Sequence, residues 1–278
     1  MARHDRHHQK AGHLVSTLLR QNSELKADRI WNWTLPAFAI RLTDGRTMNV
    51  CPKAGACAQF CYALNGTYMF SNVRSAHERN LIATLDELDN WKRSMMLELS
   101  HKRFRPNGQE RLPDYDLQLD EWAENWRKTG GAAVRIHDSG DFYSVEYLKA
   151  WIEIAEVFKD VLFYAYTKDV KMFREHAQDK APTNFRWIYS MGGKEDSLVN
   201  KDTERHADVF TDLDEMTAKG YTSQEDSDLL AILLPTTRIG IPANNIKHFT
   251  KKMAGRSFST LEAERETQIA EKKARHND

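Results

Sequence analysis

Apolar residues recur along this chain with two different periods, and the switches between them mark out the elements. Leu14, Leu18 and Leu19 share one face of a helix over about residues 13–28. Residues 35–42 read as a strand, Asp44-Gly45 as a turn, and a second short strand runs to Val50, which predicts a hairpin. After an Asn65-Gly66 turn, Ser71 or Asn72 caps a long helix carrying Leu81, Leu85, Leu88, Met95 and Leu99, with a break near Asn90. Near its start, Arg74, His77, Arg79 and Asn80 either face solvent or point back at the preceding loop. Residues 101–113 are basic and loop-like, and Trp122 and Trp126 sit one helical turn apart, as packing residues do.

From there the pattern becomes regular. A strand over 133–136 runs into a polar turn and then a helix with Ser144 as N-cap and Leu148, Trp151, Ile152, Ala155 and Phe158 on one face. A strand over 161–166, a helix near 170–179 and a strand over 185–190 follow. Residues 229–235 form a fully apolar run, as expected of a parallel core strand. Repeated βα units predict an α/β fold, a full or partial (β/α) barrel with a parallel sheet covered by helices. The expected division is a polar N-terminal segment and helix over 1–30, one barrel-like domain over 31–258, and a charged, exposed C-terminal helix or tail over 259–278.

Such barrels build their sites at the C-terminal ends of strands. Three successive strand ends here are polar: His137, Asp138, Ser139, Gly140 and Asp141; then Tyr166, Thr167 and Lys168; then Ser190, Gly192 and Gly193. Each group alone is also ordinary turn chemistry. A sharper signal is the cysteines. Cys51, Cys57 and Cys61 are the 3 cysteines of the chain and fall on one loop with Pro52 and Gly55. An odd count leaves one thiol over from any disulfide scheme. Buried small hydrophobes would be scattered rather than clustered. Three thiolates on one loop can converge on a metal centre. A closed zinc site would have to recruit a histidine or carboxylate as fourth ligand, whereas three cysteines with an open position suit a four-iron cluster.

Charge narrows the picture. The 278 residues carry 40 Lys plus Arg and 40 Asp plus Glu, a formal net charge of 0, so global electrostatics does not point to a polyanion. Local basic patches remain at 101–111 and at Lys247, Lys251, Lys252 and Arg256. No run approaches the ~20 apolar residues that span a bilayer, so no membrane is expected. His4, His7 and His8 lie in a polar terminus without the apolar stretch of a secretory signal. Clustered free thiols fit a reducing cytoplasm.

The Phe60-Cys61 pair closing the cysteine loop resembles radical SAM enzymes, in which an aromatic residue often precedes the last cysteine of a loop after the first barrel strand. The order of parts matches too: strand, cysteine loop, helix, strand, glycine-containing acidic turn, helix. The spacing here is five and three intervening residues, against three and two in most of that family. The Cys-x5-Cys-x3-Cys-Tyr-Ala loop is similar to that of a phage-encoded, radical-SAM-like group. The resemblance implies that Cys51, Cys57 and Cys61 each hold one iron of a [4Fe–4S] cluster. S-adenosyl-L-methionine (SAM) would chelate the fourth iron, and its reductive cleavage would give a radical that abstracts hydrogen from substrate. Ser139, Gly140 and Asp141 would take the place of the family's Gly-Gly-Glu turn, with Asp141 on the methionyl amino group. Thr167, Ser190, Gly192 and Gly193 would bind SAM, and His137, Asp138, Asp141 and Lys168 are the catalytic candidates. It further implies an electron donor, a small-molecule or nucleotide substrate with nucleic acid possible, and a host cytoplasm if the chain is phage-encoded.

A rival resemblance starts from residues 137–142, His-Asp-Ser-Gly-Asp-Phe, which look like the Asp-Ser-Gly-Gly-Phe turn of tRNA-guanine transglycosylases. That resemblance implies a zinc-containing barrel exchanging a guanine-type base in DNA or RNA, with Asp138 on the base and a strand-end carboxylate as nucleophile. Its zinc cysteines lie late in the chain, unlike these. A third reading is a non-catalytic, metal-stapled nucleic-acid-binding protein.

Overall fold

The structure is a computed structural model that describes residues 17–243 and 247–277. Its centre is a seven-stranded, wholly parallel sheet formed by β1 (Ile30–Trp33), β4 (Ala132–Ile136), β5 (Val161–Thr167), β6 (Phe185–Ser190), β7 (His206–Phe210), β8 (Thr222–Ser223) and β9 (Arg238–Pro242), in the spatial order β1-β4-β5-β6-β7-β9-β8. A separate antiparallel hairpin joins β2 (Ala39–Arg41) to β3 (Thr47–Asn49). The fold is therefore α/β, with β1 and β8 at the two edges of the sheet.

Strand alternation divides the core into two faces. Val134, Ile136, Phe163 and Ala165 point to one side. They pack there against α4 (Leu88–Leu99), α6 (Val145–Val157) and α7 (Val170–His176), through Trp91, Met95, Trp151, Ile154 and Phe173. Ala133, Leu162, Ile188, Ala207 and Ile239 point to the other side. That face is filled by Ala123 and Trp126 of α5 (Glu121–Thr129) and by α9 (Leu230–Leu233). The helix ends follow their caps: Asp120 and Ser144 side chains accept from Ala123 and Tyr147 amides, and Gly130 ends α5 in the left-handed region at φ 72°.

Several expectations are corrected. The helix expected over 13–28 reduces, within the described residues, to α1 (Ser23–Ala27), capped by Asn22. Leu18 and Leu19 are held as extended chain because Glu98 accepts both their amides and Arg20 bridges Asn32. The strand expected over 35–42 is ordered only at Ala39–Arg41, because the Leu35 amide is taken by the Ser139 carbonyl at 3.1 Å. The long helix breaks at Glu87 rather than Asn90, giving α3 (Ser71–Asp86) and α4. The run over 229–235 is a helix, not a strand. Ser227, itself bonded to Asp28 at 2.6 Å, accepts the Leu229 amide and starts the helical turn. A six-residue apolar run fits a buried helix as well as a strand. The sheet takes β1, β7, β8 and β9 from stretches not expected to be strands.

Towards the C-terminus lie α8 (Leu213–Ala218), α10 (Lys247–Met253) and α11 (Phe258–Asn277). The charged end is not a free tail at its start, since Phe258, Leu261 and Glu262 are buried. No helix among the described residues is long and apolar enough to cross a membrane. His4, His7 and His8 lie outside the described residues.

Candidate functional site

The hairpin delivers the chain to the C-terminal edge of the sheet, where the cysteine loop is seated on the turn after β6. Gly55 and Cys57 amides both donate to the Gly192 carbonyl at 3.1 Å, Ala54 bridges Gly193, and the Lys194 amide donates to the Lys53 carbonyl at 2.9 Å. Gly192 lies at φ +91°, and a Cβ there would sit 3.1 Å from Phe258 Cβ and 3.3 Å from Cys57 Cβ, so the close docking requires glycine. The loop's short helix α2 (Cys57–Phe60) has no side-chain cap of its own. Glu262 of α11 supplies one from 206 residues away, accepting the Ala56 amide while paired with Arg265. Phe258 adds a ring contact with Phe60, centroids 6.0 Å apart.

All three cysteines are free and partly buried. Backbone amides near the sulfurs pull the thiols down, that of Phe38 at Cys51, of Gly55 at Cys57, and of Ala63 and Leu64 at Cys61, but burial outweighs them. Burial pushes all three thiols up from their ordinary value, and for Cys51 the charges of Asp141, Cys57 and Cys61 push further. The Lys168 cation pulls Cys57 and Cys61 the other way. Among the described residues no three His, Cys, Asp or Glu side chains are gathered to share one metal ion.

Lys168 is fixed beside this loop. Its Nζ donates to Ser190 O at 2.9 Å, Ser190 Oγ at 2.7 Å and Met191 O at 3.0 Å. Burial opposes its charge, but Cys57, Asp196, Asp141 and Cys51 together outweigh that and hold its pKa above the ordinary lysine value. The two carboxylates also organise the backbone. Asp141 accepts the Phe142 amide at 2.7 Å and the Lys168 amide at 2.9 Å. Asp196 accepts the Gly192 and Gly193 amides at 2.7 and 2.8 Å. Burial pushes each of them up to about 6.

A second polar group lies beside the first, on the sheet face that holds Ala133 and Leu162. Arg135 of β4 stands 3.7 Å from Asp138 and 3.3 Å from Asp228, its guanidinium carbon 5.2 Å from the Tyr166 ring centre. The Tyr164 hydroxyl donates to Asp228, and the single Tyr166 hydroxyl hydrogen is shared between Gln224 at 2.6 Å and Asp228 at 3.1 Å. Tyr68 donates to the Asp138 carboxylate and Tyr62, next to Cys61, to its carbonyl. His77 turns inward, its ring 6.0 Å from that of Tyr68, while Arg74 and Arg79 are exposed.

The strand-end residues thus divide. Asp141, Lys168, Ser190, Gly192 and Gly193 gather around the cysteine loop, and Asp138 belongs to the Arg135 group. Ser139 and Gly140 tie the turn to Leu35: Ser139 Oγ donates to its carbonyl at 2.6 Å, and a Gly140 Cβ would lie 2.7 Å from its Cβ. Thr167 accepts the Asp169 amide. His137 lies on the opposite face, at φ 69°, among Phe142 and Tyr147, its Nε2 2.9 Å from the Tyr147 hydroxyl. Burial pushes it down to about 3. Sequence reasoning missed Arg135, Asp196, Asp228 and Glu262. A charged residue inside the apolar β4 was a local signal for the first, but the others are brought in by distant segments.

Fold and site together define an α/β protein with an open-edged parallel sheet and a three-cysteine loop seated across its strand ends. The chain belongs to the Gene product 88 family, whose model matches residues 15–275. It is similar to the Gene 88 protein of Mycobacterium phage D29, 32% identical over 133 residues, an alignment that spans about half of each protein (48% of both). No solved structure matches the chain.

Proposed function

We propose that the chain is an iron–sulfur, SAM-dependent enzyme of the radical type, acting on a nucleotide or nucleic acid. The observation that carries this is the cysteine loop itself: three free cysteines on one short loop, docked on the Gly192-Gly193 turn at the strand ends of a parallel sheet. Iron–sulfur clusters are held by cysteine thiolates, and three free cysteines with the Lys168 cation beside Cys57 and Cys61 are donors of that type. Cys51, Cys57 and Cys61 would each hold one iron, with SAM at the remaining one. When bound, the cluster and SAM supply one-electron cleavage and hydrogen abstraction. In this reading the seven strands are a partial barrel, and the protein works in the reducing cytoplasm of a host cell with an electron donor.

The chain's own groups have definite tasks. Lys168, with all three ammonium hydrogens engaged, is a fixed positive charge offsetting the thiolates. Asp196 sets the Gly192-Gly193 turn on which the loop rests. Asp141, bonded to two backbone amides and to the Thr167 hydroxyl, is the carboxylate assigned here to an ammonium group such as that of SAM. Losing that contact costs ~1.5–3 kcal/mol, or about ten- to a hundredfold in affinity. Calorimetric titration of SAM into iron-loaded wild type and Asp141→Asn tests this, with melting temperature as folding control. Equal affinities remove Asp141 from the site, and no SAM binding by the loaded wild type overturns the reading.

A further inference from the structure

We propose that Arg135 anchors a substrate site for the two-acceptor edge of a guanine-type base, closed over by Tyr62 and Tyr68. This deepens the reading above and rests on it only for the chemistry that follows binding. Among the described residues the Arg135 guanidinium donates no hydrogen bond, and its Nε is buried without a partner. Its contacts to Asp138 and Asp228, at 3.7 and 3.3 Å, are ion pairs without hydrogen-bond geometry. The carboxylates are instead held by tyrosine hydroxyls: Asp228 by Tyr164 and Tyr166, Asp138 by Tyr68. An Nε–H buried without an acceptor is costly unless a ligand supplies one, and the side chain, 20% exposed, is open to a ligand from solvent. Its planar donors match a ligand with two adjacent acceptors.

Charge selects among such ligands. One cation stands between two carboxylates, so a carboxylate or phosphate ligand would bring a third negative charge against them. A neutral ligand would not. The O6/N7 edge of guanine is a neutral pair of adjacent acceptors and the commonest base partner of arginine. The base's N–H groups would then meet carboxylates rather than other donors. Tyr62, 40% exposed, and Tyr68, 5.5 Å away edge-on, stand beside the Asp138 group, and one ring face is enough to stack on the base. Since Tyr62 follows Cys61, the bound base would lie against the cysteine loop.

Guanosine and adenosine titrated calorimetrically into the full chain test the proposal. Guanosine is expected to bind at least about tenfold more tightly than adenosine, and Arg135→Lys, which keeps the charge but not the fork, to bring the two within about threefold. Mapping phenylglyoxal modification of the wild type by peptide mass spectrometry needs no variant, and inosine, which has the same O6/N7 edge but no 2-amino group for the reagent to attack, is expected to protect Arg135. Equal binding of the two nucleosides, tighter binding of benzoate or of a free amino acid than of guanosine, or an unprotected Arg135 overturns the proposal. Iron measured on the same sample keeps the readings apart. An iron-free protein that selects guanosine loses the radical reading alone, and an iron-loaded one that does not select loses the base site alone.

Discussion

Replacing Glu262 tests whether the C-terminal helix builds the cysteine loop. Its carboxylate is 1% exposed and accepts the Ala56 amide and both an Nε (2.8 Å) and an Nη of Arg265. Glu262→Ala leaves the Ala56 amide unpaired, ~1–3 kcal/mol. Arg265, 26% exposed, can turn to water, so the total should stay below the ~3–5 kcal/mol of a fully buried broken pair. Glu262→Gln keeps an acceptor for the amide and should cost about 1 kcal/mol. A coupled test is available at Gly55, where a Cβ would lie 2.1 Å from Glu262 Oε2. Gly55→Ala alone should cost ~1–3 kcal/mol from overpacking. In the Glu262→Ala background the clash is gone, so the double-mutant cycle should give a coupling of about 0.5–3 kcal/mol. Urea unfolding measures the cycle, and alkylation rates at Cys57 and Cys61 report on the loop itself. Additive costs with unchanged alkylation would refute the clasp.

Other outcomes follow from the same geometry. Lys168→Met removes the cation that holds the Cys57 and Cys61 thiols down, so iodoacetamide should label both more slowly at fixed pH; faster labelling would contradict the assigned sign. His137, held near 3 against an ordinary 6.5, stays neutral when folded, so its contribution is present above pH 6.5 and is lost as pH falls below it. Asp141 and Asp196, raised to about 6, act in the opposite sense but are common to wild type and variant. Stability of His137→Asn should therefore fall less steeply between pH 6.5 and 4.5, by up to ~1.4 kcal/mol per pH unit; parallel curves would show that His137 is not buried neutral. If the 101–111 and 247–256 patches meet nucleic acid, affinity should drop steeply with salt, and salt-independent binding would remove them from recognition.

The βα repeat was legible from residue 132 to 190 because each strand there is mostly apolar and each helix carries a cap, as at Ser144. β1 escaped notice because Trp31 and Trp33 flank Asn32 in only four residues, and β9 because Gly240 and Pro242 interrupt it. The cysteine loop was legible from spacing alone. What holds it was not: Glu262 and Asp196 are ordinary charged residues in sequence, and only folding places one at Ala56 and the other at Gly192. His137 shows the converse, since a polar residue at a strand end can point into the core when its backbone takes a left-handed turn.

The central claim is that three cysteines hold an iron–sulfur cluster. Iron, sulfide and zinc analysis with an absorption spectrum on anaerobically purified protein tests it most directly, run beside Cys51→Ala, Cys57→Ala and Cys61→Ala. The account predicts a brown wild type with about four irons and matching sulfide per chain, and iron lost from every variant. A colourless wild type with stoichiometric zinc, or full iron in any one variant, would contradict it.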